Sequence, residues 1–456
     1  MYDLYVKDIV RLCNGTILCG NEELKLGRVV TDTRVIEKND VYIGLCGERA
    51  NGSDYYQDAI DKGASVCVID KEVDANYLDC AVVVVDDTLV CLQSLAKYKR
   101  SLMNIPVVAV TGSVGKTSTK DMIASVISTK YRVHKTEGNY NNHIGVPLTI
   151  LSHKDEEVLV VEMGMNHLRE IALLSDIAKP TISVITNVGT AHIGNLGSRE
   201  NILKAKLEIL EGMNGKDVVI NVDNDMLCWV EKELGQVYDV KTVSIDQKSD
   251  YRAINIQEDA FESKFNIEDI SCDIQVNVGG KAFIYNSLVA YAVGNILGIS
   301  DESIKRGIKD FKLSSHRLER KISKSGITII DDTYNANFDS MKASVELLGH
   351  VKDKRRIAIL GDMLELGEYS SSLHRSLGDI VINSEVDILI TIGEFSKQID
   401  IRVIELGMSK DKVIHFGKES DSYSFLNNCL DSHDIVLVKG SHGIHLSNVV
   451  DKMMKM

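Results

Sequence analysis

No window of about 18 residues stays apolar in this chain of 456 residues, so a membrane-spanning helix is excluded. The opening Met1-Tyr2-Asp3-Leu4-Tyr5-Val6-Lys7 has no basic segment followed by an apolar core, and it does not read as a secretory signal. Nine cysteines occur without a C-x-x-C pair, and six of them lie before residue 92. That spacing suits neither a zinc site nor a disulfide framework, and it points to buried, reduced thiols in a cytoplasmic protein. Basic side chains are in deficit: 52 Lys and Arg against 66 Asp and Glu give a net charge of −14. Such a surface repels polyanions, so nucleic acid is not an expected partner, and any phosphate-bearing ligand must be held in a local pocket. Proline is scarce, with three in all, and there is no internal repeat, low-complexity tract or long charge block. Domains joined by short hinges are therefore expected, as suits an enzyme that closes on its substrates.

What is present is the composition of an ordinary globular protein, 44% hydrophobic and 26% charged. The length exceeds the roughly 250 to 300 residues at which a single core stops growing, so two or three domains are expected. The most informative stretch is Val107-Val108-Ala109-Val110-Thr111-Gly112-Ser113-Val114-Gly115-Lys116-Thr117-Ser118. Its apolar half has the length and β-branched content of a buried strand, and Lys116 onward reads as a helix with Met122, Ile123, Val126 and Ile127 on one side. Between them lies G-x-x-G-K-T, a shortened P-loop in which Val110 stands where a further glycine is usual. Free backbone N–H groups and the positive end of a helix favour anions there. Lys116 can reach the β/γ-phosphates, the Thr117 hydroxyl can ligate Mg²⁺, and the glycines let the backbone wrap the phosphates. A plain strand-to-helix turn is the competing reading, disfavoured by the strand before and the helix after.

Short strand signals at Arg28 to Thr31, Val41 to Leu45, Ser65 to Ile69 and Ala81 to Val85 suggest a small α/β domain over 1–88. A helical piece from Leu89 to Leu102 leads to Pro106 and a second domain over 89–313. There Val158 to Val161 runs into Glu162, Thr181 to Ile185 into Thr186-Asn187, and Asp217 to Ile220 into Asn221. Apolar runs alternating with helical segments predict a parallel sheet covered by helices, with ligands at the carboxyl ends of its strands, which places Glu162 and Asn187 beside the phosphates. The rhythm restarts with Ile327 to Ile330, Arg356 to Leu360, Val386 to Ile392 and Ile435 to Val438, a third α/β unit over 314–456.

Other clusters are candidates for the same site. Glu162 could share Mg²⁺ with Thr117, since hard cations prefer carboxylate and hydroxyl oxygens; a solvated loop glutamate is the alternative. His192, after Thr186-Asn187-Val188-Gly189-Thr190-Ala191, reads equally as a metal ligand or a loop histidine. Lys204 and Lys206 lie on a charge-rich helix, where residue type alone predicts solvated lysines. Asp331-Asp332-Thr333-Tyr334-Asn335-Ala336-Asn337 reads either as an Asx-rich turn or as part of a site.

Taken together, these residues resemble the Mur ligase family, the ATP-dependent amide-forming enzymes of peptidoglycan precursor synthesis. The resemblance covers nearly the whole chain. It rests on Thr111 to Thr117, Asn139-Tyr140-Asn141-Asn142-His143-Ile144-Gly145-Val146-Pro147, Glu162-Met163-Gly164, Thr186 to His192, and Ala205-Lys206-Leu207-Glu208-Ile209. Glu162-Met163-Gly164-Met165-Asn166-His167, Tyr334-Asn335-Ala336-Asn337, Leu360-Gly361-Asp362-Met363-Leu364-Glu365-Leu366-Gly367 with His374, and Lys439-Gly440-Ser441 select a subgroup. Its members add D-alanyl-D-alanine to UDP-N-acetylmuramoyl-tripeptide.

The resemblance implies an α/β protein of three domains. These are a small N-terminal substrate domain, a central P-loop ATPase domain with a mostly parallel sheet, and a C-terminal Rossmann-like domain. It implies that Gly112, Ser113, Gly115, Lys116, Thr117 and Ser118 hold ATP, and that Thr117 and Glu162 share a first Mg²⁺. His192 and a carbamylated Lys206 would serve a second Mg²⁺, which reverses the solvated reading of that lysine. Asn142 would line the active site. Arg317, Asp332, Tyr334 and Asn335 would contact the nucleotide from the C-terminal domain, and Thr33, Arg34 and Gly47 would receive the uridine nucleotide. A monomer is expected. His316 stands where glycine is usual, Phe338 where proline is usual and His442 where arginine is common, and Asn51-Gly52-Ser53-Asp54 replaces Asp-Gly-His-Asp. A diverged ligase joining a different amine to a carboxylate acceptor is the alternative. A nucleotide-binding regulator that has lost ligation is disfavoured by the intact Lys116, Glu162, His192 and Lys206.

Overall fold

The computed structural model describes residues 3–75 and 78–456, so Met1 and Tyr2 of the opening segment lie outside the described residues. Three sheets follow one another along the chain. The first has five strands in the order Thr16–Cys19, Ala81–Val84, Val66–Ile69, Val41–Ile43 and Val29–Val30. Its neighbours are parallel except at Thr16–Cys19, an edge strand with no counterpart in the sequence reading. The expected strand from Arg28 to Thr31 shrinks to Val29–Val30.

The nine-stranded second sheet runs Ile270–Val276, Ser263–Ile267, Tyr251–Glu258, Asp239–Ser244, Asp217–Asn221, Ile182–Ile185, Val107–Thr111, Val158–Glu162 and Val133–Lys135. All pairings are parallel except the two that join its first three strands. Val107–Thr111 lies between Ile182–Ile185 and Val158–Glu162, so the carboxyl ends of three adjacent strands deliver Thr111, Glu162 and Thr186 to one rim. The third sheet has six strands in the order Glu319–Ile322, Thr328–Asp332, Asp434–Lys439, Arg355–Gly361, Ile388–Ile392 and Val413–Phe416, antiparallel only at its first edge.

Helices cover the second sheet on both faces. Lys116–Ile127 turns its apolar side down as the period predicts, with Met122, Ile123, Val126 and Ile127 fully buried, each such side chain stabilising the fold by about 1.5–3 kcal/mol. It packs with Lys281–Ile296, whose Asn286 Oδ1 accepts from Thr119 Oγ1 at 2.8 Å. The helix Thr88–Leu102 starts where Asp87 accepts from the N–H groups of Leu89 and Val90, an N-cap. Its buried Leu92, Leu95 and Ala96 belong to one apolar core shared by the first sheet and one face of the second. Its last turn is anchored by charge-assisted bonds from Lys99 Nζ to the carbonyls of Leu151 and His153, and from Arg100 Nε to that of Ala178.

All nine cysteines are free thiols. Cys67, Cys80, Cys91 and Cys272 are buried as expected and Cys13, Cys19 and Cys429 half-buried, but the expectation fails at Cys46, in the exposed turn that bridges to Asn51, and at Cys228, on the outer side of the helix Asp225–Leu234. Among the described residues no helix is long and apolar enough to cross a membrane.

Candidate active site

The glycine loop between Val107–Thr111 and the helix Lys116–Ile127 is shaped from the next strand. Asn187 Oδ1 accepts from the N–H groups of Ser113 (3.1 Å) and Val114 (2.9 Å), while its Nδ2 donates to Val114 O (2.9 Å). Gly115 sits at the helix N-cap with φ +82, a left-handed conformation that costs glycine little. A Cβ on Gly112 would lie 1.9 Å from Thr186 Oγ1. Ser113 Oγ accepts from Gly189 N at 2.9 Å, and Lys116 Nζ folds back onto Gly112 O at 2.8 Å. Ser118 lies in the first helical turn.

Glu162 ends its strand with 2% exposure, so the solvated alternative is overturned. One carboxylate oxygen accepts from Thr117 Oγ1 and the other from Asn141 Nδ2, both at 2.8 Å. Asn142 lies beside this cluster, but its side-chain oxygen caps the helix Gly145–Ser152 by accepting from the N–H groups of Ile144 and Gly145.

Lys206 is 1% exposed, which corrects the solvated reading made from residue type. It points inward from the helix Arg199–Leu207, whereas Lys204 two places earlier is exposed. Among the described residues its ammonium has neither a hydrogen bond nor an ion pair. Burial, and then the charge of Lys116, hold its pKa well below the usual lysine range. Burial also lowers Lys116, with Glu162 opposing the shift and Arg317 adding to it. His192, on a left-handed turn at φ +64, is pushed down to about 4 by burial and then by Lys116, Lys206 and His167, so it stays neutral at pH 7. Its Nδ1 is buried without a hydrogen-bond partner.

From the third sheet, Arg317 stacks on the Tyr334 ring, with the guanidinium carbon 3.9 Å from the ring centroid. Asp331 and Asp332 are the buried end of the strand Thr328–Asp332, and the Asx bond that residue types allow follows it, with Asp331 Oδ1 accepting from the N–H (3.2 Å) and the hydroxyl (2.7 Å) of Thr333. Asp332 accepts from Lys439 Nζ at 2.6 Å, and that ammonium also donates to Asn335 O at 3.0 Å. His316, Glu319 and Asp331 cluster closely, but Lys321 Nζ bridges them at 3.3 Å from Glu319 and 2.6 Å from Asp331. An ammonium already balances that cluster.

The second and third units meet at this rim. Asp339 Oδ2 accepts from both the N–H (2.8 Å) and the hydroxyl (3.0 Å) of Thr190. Neither residue was singled out from the sequence, because nothing local in Asn337-Phe338-Asp339 marks a residue that docks across domains. The structure does not bring Thr33, Arg34 and Gly47 into the cluster: Thr33 and Arg34 lie on the 3-10 helix Thr33–Val35 and Gly47 on a loop of the first unit, with Arg34 exposed and paired to Asp32 at 2.6 Å.

The donor set fits a divalent cation. A hydroxyl and a carboxylate converge at the P-loop, a neutral imidazole stands beside them, and among the described residues a buried amine has no counter-charge.

The family description "Mur ligase middle domain" matches residues 110–294, and "Mur ligase, glutamate ligase domain" matches residues 316–442. The UDP-N-acetylmuramoyl-tripeptide--D-alanyl-D-alanine ligase of Bacillus subtilis is 36% identical to this chain, covering 99% of the chain and 98% of its own length. The chain belongs to the Mur ligase family. The ligase of the same description from Synechocystis is 33% identical over 98% of this chain and 96% of its own. Among solved structures of Mur ligases, MurF from Acinetobacter baumannii superposes with a TM-score of 0.90 at 27% identity, covering 99% of both chains. MurF from Thermotoga maritima in complex with ADP superposes with a TM-score of 0.82 at 26% identity, covering 94% of this chain and 97% of that one.

Proposed function

We propose that this Mur ligase joins D-alanyl-D-alanine to UDP-N-acetylmuramoyl-tripeptide with ATP, making a peptidoglycan precursor. The observation that carries the reading is the convergence of Lys116, Thr117, Glu162, His192 and Lys206 on one rim of a chain that matches ligases of that description end to end. The proposed division is 1–88 for the uridine nucleotide substrate, 89–313 for ATP and 314–456 for completing the nucleotide site.

A carboxylate is a poor acyl donor at neutral pH. The terminal carboxylate oxygen of the tripeptide therefore attacks the γ-phosphorus, the bond to the ADP oxygen breaks, and an acyl phosphate forms. The amine of D-alanyl-D-alanine then attacks the acyl carbon, loses a proton, and expels inorganic phosphate. The backbone N–H groups of the loop from Gly112 to Gly115, with Ser113 and Ser118, bind the phosphates. Lys116 swings from Gly112 O onto them and offsets the charge that develops during transfer. Magnesium, up to two ions, would supply further charge neutralisation, with Thr117 and Glu162 holding one and His192 and Lys206 the other. Burial and the charge of Lys116 shift Lys206 toward the amine form that carbon dioxide carbamylates, which would make this buried side chain an anionic ligand. Arg317, Tyr334, Asn335 and Asp332 close over the nucleotide, and Thr33, Arg34 and Gly47 receive the uridine end. Keeping water off the acyl phosphate is the role of domain closure.

The test is phosphate release from ATP and Mg²⁺ with the tripeptide substrate and D-alanyl-D-alanine together, and with each omitted in turn. Release that requires both, with the pentapeptide product found by mass, is the expected result. ATP binding without release would reassign the acceptor or the amine and make the changes at His316, Phe338 and His442 functional.

A further inference from the structure

Glu365 lies just past the strand Arg355–Gly361, in Leu360-Gly361-Asp362-Met363-Leu364-Glu365-Leu366-Gly367. Its carboxylate crosses from the third unit into the rim of the second. Oε2 stands 3.5 Å from His192 Nδ1, the same nitrogen that is buried with no hydrogen-bond partner. Both residues sit in the left-handed region, His192 at φ +64 and Glu365 at φ +64, which non-glycine residues hold only where their surroundings impose it. The surroundings here are a backbone seam. A Cβ on Gly194 would come within 2.8 Å of Glu365 O, so the turn after His192 and the turn at Glu365 are in direct contact, and Tyr369 Oη donates to Gly197 O at 3.3 Å. The Asp339–Thr190 bonds lie on the same seam.

We propose that Glu365 is a positioning residue for His192, and that it acts only when the C-terminal unit is docked. The proposal rests on the reading of His192 as a group of the catalytic centre. A carboxylate facing Nδ1 favours the tautomer with the proton on Nδ1 and leaves the lone pair on Nε2. At 3.5 Å the carboxylate faces a neutral ring, and a small further approach makes the contact a hydrogen bond, as contacts of this kind tighten when substrates bind. The carboxylate comes from one domain and the imidazole from the other, so docking is itself what fixes the imidazole. An open molecule would leave His192 free to take either tautomer.

The test is ¹⁵N NMR of histidine-labelled protein at pH 7.5, with the His192 signals assigned by their loss in His192→Gln. In wild type the Nδ1–H tautomer is expected, the reverse of the preference of free imidazole in a histidine side chain. Glu365→Ala should lose it, while Glu365→Gln, which keeps an acceptor oxygen, should retain it in part. Manganese titrated into the ADP-bound protein as a magnetic substitute should bind about 10- to 100-fold more weakly in Glu365→Ala, with kcat falling over a similar range and KM for ATP little changed. The Glu365 side chain is 64% exposed, so unchanged thermal unfolding serves as the folding control. Persistence of the Nδ1–H tautomer and of manganese affinity in Glu365→Ala would overturn the proposal, whatever its activity. The tautomer is read without substrates, so a wild-type protein that shows it but fails to ligate would instead count against the substrate reading.

Discussion

A lysine buried without a partner costs a fold far more than a solvated one, and among the described residues Lys206, at 1% exposure, has none. If its task is to become a carbamate, Lys206→Ala removes a negative ligand rather than a cation. Turnover should then vanish and return in part with added acetate or formate, and wild-type-like turnover of the untreated variant would end the carbamate reading. Gly112→Ala is a second test at this scale. The new methyl would meet Thr186 Oγ1, which is itself held by donation to Val114 O at 2.9 Å. The loop must shift, so ATP turnover should fall at least tenfold while the melting transition persists; unchanged turnover would mean that the loop geometry is not what binds phosphate. The P-loop was legible because Gly112, Gly115, Lys116 and Thr117 are adjacent in sequence. The inward turn of Lys206 was not, since it depends on which face of a charge-rich helix meets the sheet, and only the family resemblance pointed to it. His316 shows how a departure is accommodated. It takes φ +62, where glycine is usual, and its Nδ1 lies 2.8 Å from the buried Asp331, a contact glycine lacks.

The helix Lys397–Glu405 carries a buried charge problem into the third unit. Asp400 accepts from Thr391 Oγ1 at 2.9 and 2.8 Å, yet burial pushes its carboxyl up to about 7 against those bonds and Lys397. Burial also lowers the nearby His415, so that ring, 3.4 Å away, offers no charge at neutral pH. Below pH 3.8 the carboxyl is protonated in both folded and unfolded states. Between 3.8 and about 7 the folded protein keeps a proton that the unfolded chain releases, so this group makes stability fall as pH rises through that window. Asp400→Asn removes the loss. Denaturant unfolding should show the variant gaining about 1–4 kcal/mol on wild type between pH 4 and pH 8, and equal differences at both pH values would refute the burial argument. Elements differed in legibility for equally physical reasons. Parallel central strands such as Val107–Thr111 and Val158–Glu162 are buried along their whole length and read as apolar runs. Tyr251–Glu258 and Ser263–Ile267 are buried on alternate residues only, and Thr16–Cys19 is an edge, so no run announced them.

The first and second units share an apolar core, and the seam between residues 189–197 and the third unit is where the third docks on the second. Asp339 supplies two charge-assisted bonds to Thr190, of a kind worth about 1.5–3 kcal/mol each when fully desolvated. They are possible because residue 189 is glycine: a Cβ there would lie 2.2 Å from Asp339 Oδ2. Gly189→Ala should therefore displace the carboxylate and weaken docking, and Asp339→Ala should weaken it by removing the bonds. Each should lower kcat/KM for ATP roughly tenfold or more, since about 1.4 kcal/mol corresponds to a factor of ten. The decisive measurement is the double variant. In the Asp339→Ala background the new methyl has no carboxylate to meet, so Gly189→Ala should cost little more there, and the two effects should be far from additive. Small-angle scattering with ADP bound should give the same larger radius of gyration for all three variants. Additive losses with an unchanged radius would place both residues in local loop packing and leave the closing of the C-terminal unit to other contacts.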